Sequence, residues 1–179
     1  MFTGIITHVG LFSSWRRGRR ELLVEAPALA AKLRAGDSLA VDGVCLSLVG
    51  AEKGVLRFDL SQETLARTTL GAVKPRQRLN LELPLTLAAP LGGHLVSGHI
   101  DAIGKILRTA ERRPGRRISV SYPRGLRPFL VPKGSVAVNG VSLTVAAIGP
   151  SSMDIELIPL TLEGTNLGTL RAGAAVNIE

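Results

Sequence analysis

The chain has 179 residues, 45% hydrophobic and 20% charged, with 20 glycines and 10 prolines. That length suits one or two compact domains, and the balance of apolar and turn residues excludes a fibrous chain or a disordered tail. The formal net charge of +8 calls for weighing an anionic partner, yet aromatic residues make up only 3% of the chain, too few to stack nucleic-acid bases.

The opening MFTGIITHVGLFSSW lacks the basic start and long apolar run of a secretory leader, and no stretch reaches the apolar length of a membrane helix. A cytoplasmic protein is therefore expected. RRGRR at 16–20, with its central glycine, reads as an exposed hairpin tip. APALAAKLRAG at 26–36 supplies a turn or two of helix. SLAVDGVCLSLV from Ser38 and VLRFDL alternate or carry β-branched residues and are bounded by turn formers, as strands are. The only cysteine, Cys45, has no partner for an internal disulfide, which fits a reducing compartment. SQETLARTTLG at 61–71 supplies a second short helical stretch, and LPLTLAAPLGG reads as a connector. Beyond it lie GGHLVSGHI, a second basic hairpin ERRPGRR at 111–117, and further strands SVAVNGVSLTV and MDIELI.

The two halves are one unit repeated. SLAVDGVCLSLV matches SVAVNGVSLTVA at an offset of 97, which also aligns DLSQETLARTTLG with ELIPLTLEGTNLG and LNLE with VNIE. Residues 36–82 and 133–179 share about 14 identities without a gap. The same offset lays Arg19 and Arg20 on Arg116 and Arg117. Further upstream the register slips by about three residues, so TGIITHVG lies over SGHIDAIG. Several short strands per copy of about 90 residues favour a closed Greek-key barrel, with a pair of sandwiches as the alternative. The expected domains are 1–87 and 88–179.

Where the copies differ, the differences are few and polar. His99 stands where the first copy has Ile5, Cys45 faces Ser142, and the loop SQET faces IPLT. On a strand His94 and His99 point to opposite faces, and on a helix they lie about 140° apart, so neither arrangement makes a metal pair. A histidine bonded within its own turn is the plain reading of each. For His99, replacing an isoleucine, proton transfer near an ordinary pKa of about 6.5 is the other. Cys45 reads as a small buried hydrophobe, or as a nucleophile given a positive neighbour. Thr64 and Thr161 recur with Ser47 and Thr144, either as turn-bonding strand residues or as contacts to one polar ligand per barrel. Lys133 either reaches a ligand or lies in solvent.

MFTGII, the paired DGVCLSL and NGVSLTV, ETLARTTLG, GGHLVSGHID and the final VNIE, in this order and spacing, resemble the alpha chain of riboflavin synthase over essentially the whole sequence. The resemblance implies an all-β fold of two tandem six-stranded Greek-key barrels related by duplication, each binding one 6,7-dimethyl-8-ribityllumazine. It implies transfer of a four-carbon unit between two such molecules, giving riboflavin and a ribitylamino-pyrimidinedione, with no cofactor or metal and with neither nucleic acid nor membrane as partner. By motif, His99 matches the proton-transfer histidine, and Cys45, Ser38, Ser142, Thr64 and Thr144 match active-site polar residues. The ligand-lining segments fall on Gly4, Ile5 and Ile6; on Cys45, Leu46 and Ser47; on the loop Asp59, Leu60, Ser61, Gln62, Glu63 and Thr64; and on Gly98, His99 and Ile100. They continue with Lys133, with Ser142, Leu143 and Thr144, and with the loop Glu156, Leu157, Ile158, Pro159, Leu160 and Thr161. Three departures stand out. Gln62 replaces a common lysine, Leu160 replaces a usual glutamate, and the sequence given does not include the aspartate and trimer-holding C-terminal helix that follow NIE in the family. The resemblance thus leads to a homotrimeric synthase, weakened in its assembly, with a non-catalytic lumazine or flavin binder as the rival. A basic nucleic-acid-binding β module rests on charge alone.

Overall fold

The computed structural model describes residues 1–16, 18 and 20–179, so Arg19 of the repeat alignment lies outside the described residues. In the first half the strands are β1 (His8–Arg16), β2 (Glu21–Glu25), β3 (Ser38–Val41), β4 (Val44–Glu52), β5 (Val55–Asp59) and β6 (Arg78–Glu82). In the second they are β7 (Ala102–Arg112), β8 (Gly115–Ser121), β9 (Ser135–Val138), β10 (Val141–Ile148), β11 (Ser152–Leu157) and β12 (Ala175–Ile178). Each set closes into a barrel, β1-β2-β5-β4-β3-β6 and its counterpart β7-β8-β11-β10-β9-β12, so the sandwich alternative is set aside. The closing pairs are β1 with β6 and β7 with β12. Closure removes the unpaired edges that such short strands would leave open to other chains.

The register explains why the repeat survives in the sequence. Apolar residues alternating along each strand fill two separate cores, one around Phe12, Leu22, Leu39, Leu56 and Phe58, the other around Ile106, Val120, Val138, Val145 and Ile155. Bulges break the ladders after Phe12 and Leu48, and again at the matching Ile106 and Val145. These bulges bend the strands around their barrels. The Asp42-Gly43 and Asn139-Gly140 pairs are tight hairpin turns with all four residues at positive φ, from 47° to 82°. Such turns carry the twist that flanking strands need, and Asp, Asn and Gly tolerate the left-handed backbone best.

Three readings of the sequence change. In the strand ladder, Leu22 and Ile118 sit opposite Phe58 and Ile155, so Glu21 rather than Arg20 is the counterpart of Arg117. The two arginine clusters are therefore one residue out of register, because their hairpins differ in length. Arg116 and Arg117 are also not loop tips: they lie on β8, bonded to Glu111 at 2.9 Å and to Glu156 at 2.5 Å. The helical stretch expected at 61–71 is α2 (Gln62–Arg67), and the segment read as a loop before Thr161 enters a matching short helix, α3 (Pro159–Gly164); both follow the single turn α1 (Pro27–Ala30). Ser61 caps α2 by accepting from the Thr64 N–H at 3.0 Å, and Pro159 suits the first turn of α3 because its missing N–H has no partner there in any helix.

The barrels meet across a pseudo-two-fold contact. Phe2, Ala40, Val96 and Ala137 form a small apolar core there, with Phe2 and Val96 bridged strand to strand. Gly43 and Gly140 touch back to back; a Cβ on Gly43 would lie 2.8 Å from the Gly140 nitrogen. Around them the polar groups bond in matched pairs. The Asn80 and Asn177 amides donate to Asp42 Oδ1 and Asn139 Oδ1 at 2.7 and 2.8 Å, while their side chains each donate to the opposite barrel's turn carbonyl at 2.9 Å. Asn80 and Asn177 in turn accept from the Asn166 and Thr69 N–H groups at 2.7 and 2.8 Å. Buried polar groups without partners cost about 1–3 kcal/mol each, so this network fixes how one barrel sits on the other.

Candidate functional site

A cleft opens in each barrel, about 290 Å³ in the first and about 250 Å³ in the second. The first is lined by Val44, Cys45, Glu63, Thr64, Arg67, Thr68, Gly98, His99 and Ile100. The second is lined by Val141, Ser142, Leu160, Thr161, Gly164, Thr165, Gly4, Ile5 and Ile6. Position by position these are the same nine places in the repeat. Each cleft thus draws six residues from its own barrel and three from an arm belonging to the other copy.

The arms cross over. Residues 3–6 are held at their own barrel by Glu82, whose Oε1 accepts from Thr3 N and Thr3 Oγ1 at 2.7 Å each and whose Oε2 accepts from Gly4 N at 3.0 Å. Gly4 O then accepts from Ser142 N of the second barrel at 2.8 Å, and Ile6 packs on that barrel's core. Reciprocally, Glu179 Oε1 accepts from Ser97 N and Ser97 Oγ, Gly98 O accepts from Cys45 N at 2.9 Å, and Ile100 packs on the first core. Glycine is required at both crossings. A Cβ on Gly98 would lie 2.6 Å from the Cys45 Cβ, one on Gly4 would lie 2.6 Å from the Ser142 Cβ, and both residues hold positive φ.

Four substitutions make the clefts chemically unlike: Cys45 against Ser142, Glu63 against Leu160, Arg67 against Gly164, and His99 against Ile5. The first cleft carries an imidazole, a thiol and a Glu63–Arg67 ion pair at 2.8 Å, whereas the second is lined by apolar groups and the three hydroxyl residues Ser142, Thr161 and Thr165. The imidazole near the second cleft stands behind it. His94 Nδ1 lies 2.7 Å from Ser142 Oγ, so His94 is not bonded within its own turn. Burial lowers the pKa of His94 below its ordinary 6.5, partly opposed by the Glu179 carboxylate. Burial also raises the Asp101 carboxyl above its usual range, with Glu179 adding to the effect. Deeper in the barrel contact, burial pushes Asp42 up to about 7 against the lowering effect of bonds from Asn80 and Asn166.

The structure gathers Cys45, Glu63, Thr64, Gly98, His99 and Ile100 in one cleft, and Gly4, Ile5, Ile6, Ser142, Leu160 and Thr161 in the other. Other candidates stand elsewhere. Leu46, Leu60 and Leu157 are buried in the barrel cores, and Leu143 packs on the second. Ser38 and Ser47 face each other across β3 and β4. Thr144 pairs with Ser135 across β9 and β10 and is exposed. Asp59, Ser61, Gln62, Glu156, Ile158 and Pro159 are exposed on the strand ends and helix entries beside the clefts. Lys133 is exposed at φ 66°, where the first copy has Gly36.

The sequence reading gave no site role to Val44, Arg67, Thr68 and their counterparts, and read His94 as bonded within its own turn. The helical spacing of Thr64 and Thr68, recurring as Thr161 and Thr165, was the available signal, since residues four apart share a face. In both helices the second hydroxyl donates to the first threonine's carbonyl at 2.7 Å.

Comparison with known proteins agrees with this geometry. The family model for the lumazine binding domain matches twice, over residues 3–84 and 97–179. The riboflavin synthase of Mycobacterium tuberculosis is 38% identical over 190 residues, covering 100% of this chain and 92% of that protein. The riboflavin synthase of Chlamydia pneumoniae is 38% identical over 185 residues, covering 100% and 89%. Among solved structures, LumP complexed with riboflavin superposes with a TM-score of 0.93 at 24% identity, covering 100% of this chain and 98% of that one, a likeness of fold. With twin barrels, a lumazine binding domain in each and full-length relatives at this identity, the chain belongs to the riboflavin synthase family.

Proposed function

We infer that the chain is a riboflavin synthase, converting two molecules of 6,7-dimethyl-8-ribityllumazine to riboflavin and 5-amino-6-(D-ribitylamino)uracil. The observation that carries this reading is the pair of clefts built from nine equivalent positions, because duplicated sites suit a reaction between two copies of one substrate. In this reading the barrels of residues 1–87 and 88–179 each seat one lumazine. The two products together contain all the atoms of two substrates, so the exchange needs no outside oxidant or reductant.

One lumazine loses a proton from its 7-methyl group, and the electron pair, spread into the ring, attacks the second lumazine. Holding the two rings in place turns an encounter in solution into an intramolecular-like step. His99 lines the first cleft beside Cys45 and serves proton transfer there, with its backbone N–H held by Ser97 Oγ at 3.1 Å. Cys45 and Ser142, set at equivalent places, offer a polar contact to each ring, and Thr64 and Thr161 offer a second. Ser38, Ser47, Thr144 and Lys133 are proposed as outer contacts; a lysine held at positive φ where the other copy has glycine supports a ligand role for Lys133.

The two clefts share no lining residue. As the family resemblance implies, we read catalysis as occurring between copies, the first cleft of one facing the second cleft of another, in a homotrimer, a reading that separate clefts in one chain fit. A reducing cytoplasmic setting belongs to the same reading, with Cys45 a free thiol in its cleft. Incubation with 6,7-dimethyl-8-ribityllumazine is expected to generate riboflavin fluorescence. Binding without turnover would instead make the chain a lumazine or flavin binder, the reading favoured by the LumP likeness.

A further inference from the structure

His94 is the reactive side chain that the functional reading leaves unused. It is half-buried, and its Nδ1 lies 2.7 Å from Ser142 Oγ, a residue 48 positions away in the chain. The contact is braced from both sides. The His94 N–H donates to Thr3 O at 3.1 Å, and the Ser142 N–H donates to Gly4 O at 2.8 Å, so imidazole and hydroxyl are both fixed on the first arm. Gly93, next to His94 in the chain, is pressed against the Thr3 carbonyl and Ser142, so that a Cβ there would lie 2.8 Å from the Ser142 Cβ. Ser142 lines the second cleft and His94 does not, so the ring stands behind the hydroxyl and meets a ligand only through it.

Burial favours the neutral ring, which has one nitrogen free to accept a proton. The charged group acting on it is Glu179, whose carboxylate would support an imidazolium once formed. In the first cleft an imidazole lines the wall beside the thiol. In the second, Ile5 takes that place on the wall, and the ring stands one layer back.

We propose that His94 is a positioning residue for the reaction, holding the Ser142 hydroxyl and taking up, through it, the proton that the lumazine in the second cleft gives up. This rests on the riboflavin synthase reading. The 7-methyl C–H bond breaks with its electron pair remaining in the ring. The proton passes to Ser142 Oγ as the Oγ–H proton passes to His94 Nδ1, leaving a neutral hydroxyl and an imidazolium. The lumazine in the second cleft is then the one that becomes the nucleophile, and each cleft has its own imidazole.

The test is His94→Asn, whose amide reaches the place of Nδ1 and holds the hydroxyl but takes no proton. Turnover of 6,7-dimethyl-8-ribityllumazine is expected to fall about 100-fold or more in kcat with KM within about threefold, the size of a lost general base. Exchange of the 7-methyl protons with D₂O, followed by NMR on the bound ligand, is expected to slow by the same factor, and the acid limb of the kcat profile to change. Because hydroxyl and ring act as a unit, His94→Asn combined with Ser142→Ala is expected to be no slower than the slower single variant. A kcat within twofold of the parent, a loss confined to KM, or multiplying single effects would overturn the proposal. If His94→Asn loses its folded circular dichroism, His94→Gln is read by the same criteria. A parent chain that makes no riboflavin overturns the functional reading and this inference with it, whereas an active parent with an unaffected variant overturns this inference alone.

Discussion

Asp42 and Asn139 occupy the same left-handed turn position in the two barrels, yet only Asp42 can carry a charge. Its Oδ1 accepts from Asn80 N and from Asn166 Nδ2, while Oδ2 is buried with no hydrogen-bond partner among the described residues. A carboxyl with a folded pKa of about 7 and an unfolded value near 3.8 holds its proton in the native state through the interval between them. Its contribution to stability is therefore complete below pH 4 and is lost as pH rises through 7. Asp42→Asn, which copies the second barrel, is expected to flatten this loss and to raise stability at pH 8 by on the order of 2–4 kcal/mol relative to the parent, with little difference at pH 4. Urea unfolding at the two pH values reads it; a difference that does not depend on pH would contradict it. At the first cleft, His99→Ala is expected to lower kcat about 100-fold while KM moves less than about threefold. A loss of affinity equal to the loss in kcat/KM would count against proton transfer by that ring.

The decisive elements are the two arms, because each is pinned to its own barrel by one carboxylate and completes the cleft of the other. Glu82→Gln places an amide NH₂ where Oε1 or Oε2 now accepts N–H groups from Thr3 and Gly4. It is expected to cost about 1–3 kcal/mol in unfolding free energy. It should also weaken ligand binding at the second cleft, where Gly4, Ile5 and Ile6 line the wall, and leave the first cleft at parental affinity. Equal weakening at both clefts, read by lumazine fluorescence in parent and variant, would show that the arms do not act separately. The pairing of arm and cleft was only half legible. The repeat of TGII and SGHI marked the segments, and the Ile5/His99 difference marked the chemistry, but a strand crossing to the other barrel leaves no local pattern. The His94–Ser142 contact was hidden as well, since it joins residues 48 positions apart within the second half. The short helix after β11 was read as a loop in part because IPLT lacks the serine cap that makes the helix begun by SQET recognisable.

At the scale of the molecule, the duplication was the most legible feature, because barrel closure fixes the register of every strand and so preserves spacing where side chains have drifted. The alternation along SLAVDGVCLSLV and SVAVNGVSLTV also announced β-strands, and the DG and NG pairs their tight turns. The arginine hairpins misaligned by one residue because hairpin length is free to vary at an exposed tip, where no core pins it. Among the described residues, Arg67 is the one arginine or lysine lining the clefts, and Arg116 and Arg117 are bonded to Glu111 and Glu156. What the fold presents as a whole is two like clefts with unlike chemistry, an arrangement suited to one substrate acting on its twin. The most direct measurement is the mass balance of a reaction given only 6,7-dimethyl-8-ribityllumazine. The account expects one riboflavin and one 5-amino-6-(D-ribitylamino)uracil for every two lumazines consumed; lumazine recovered unchanged from the protein, or any other ratio, would contradict it.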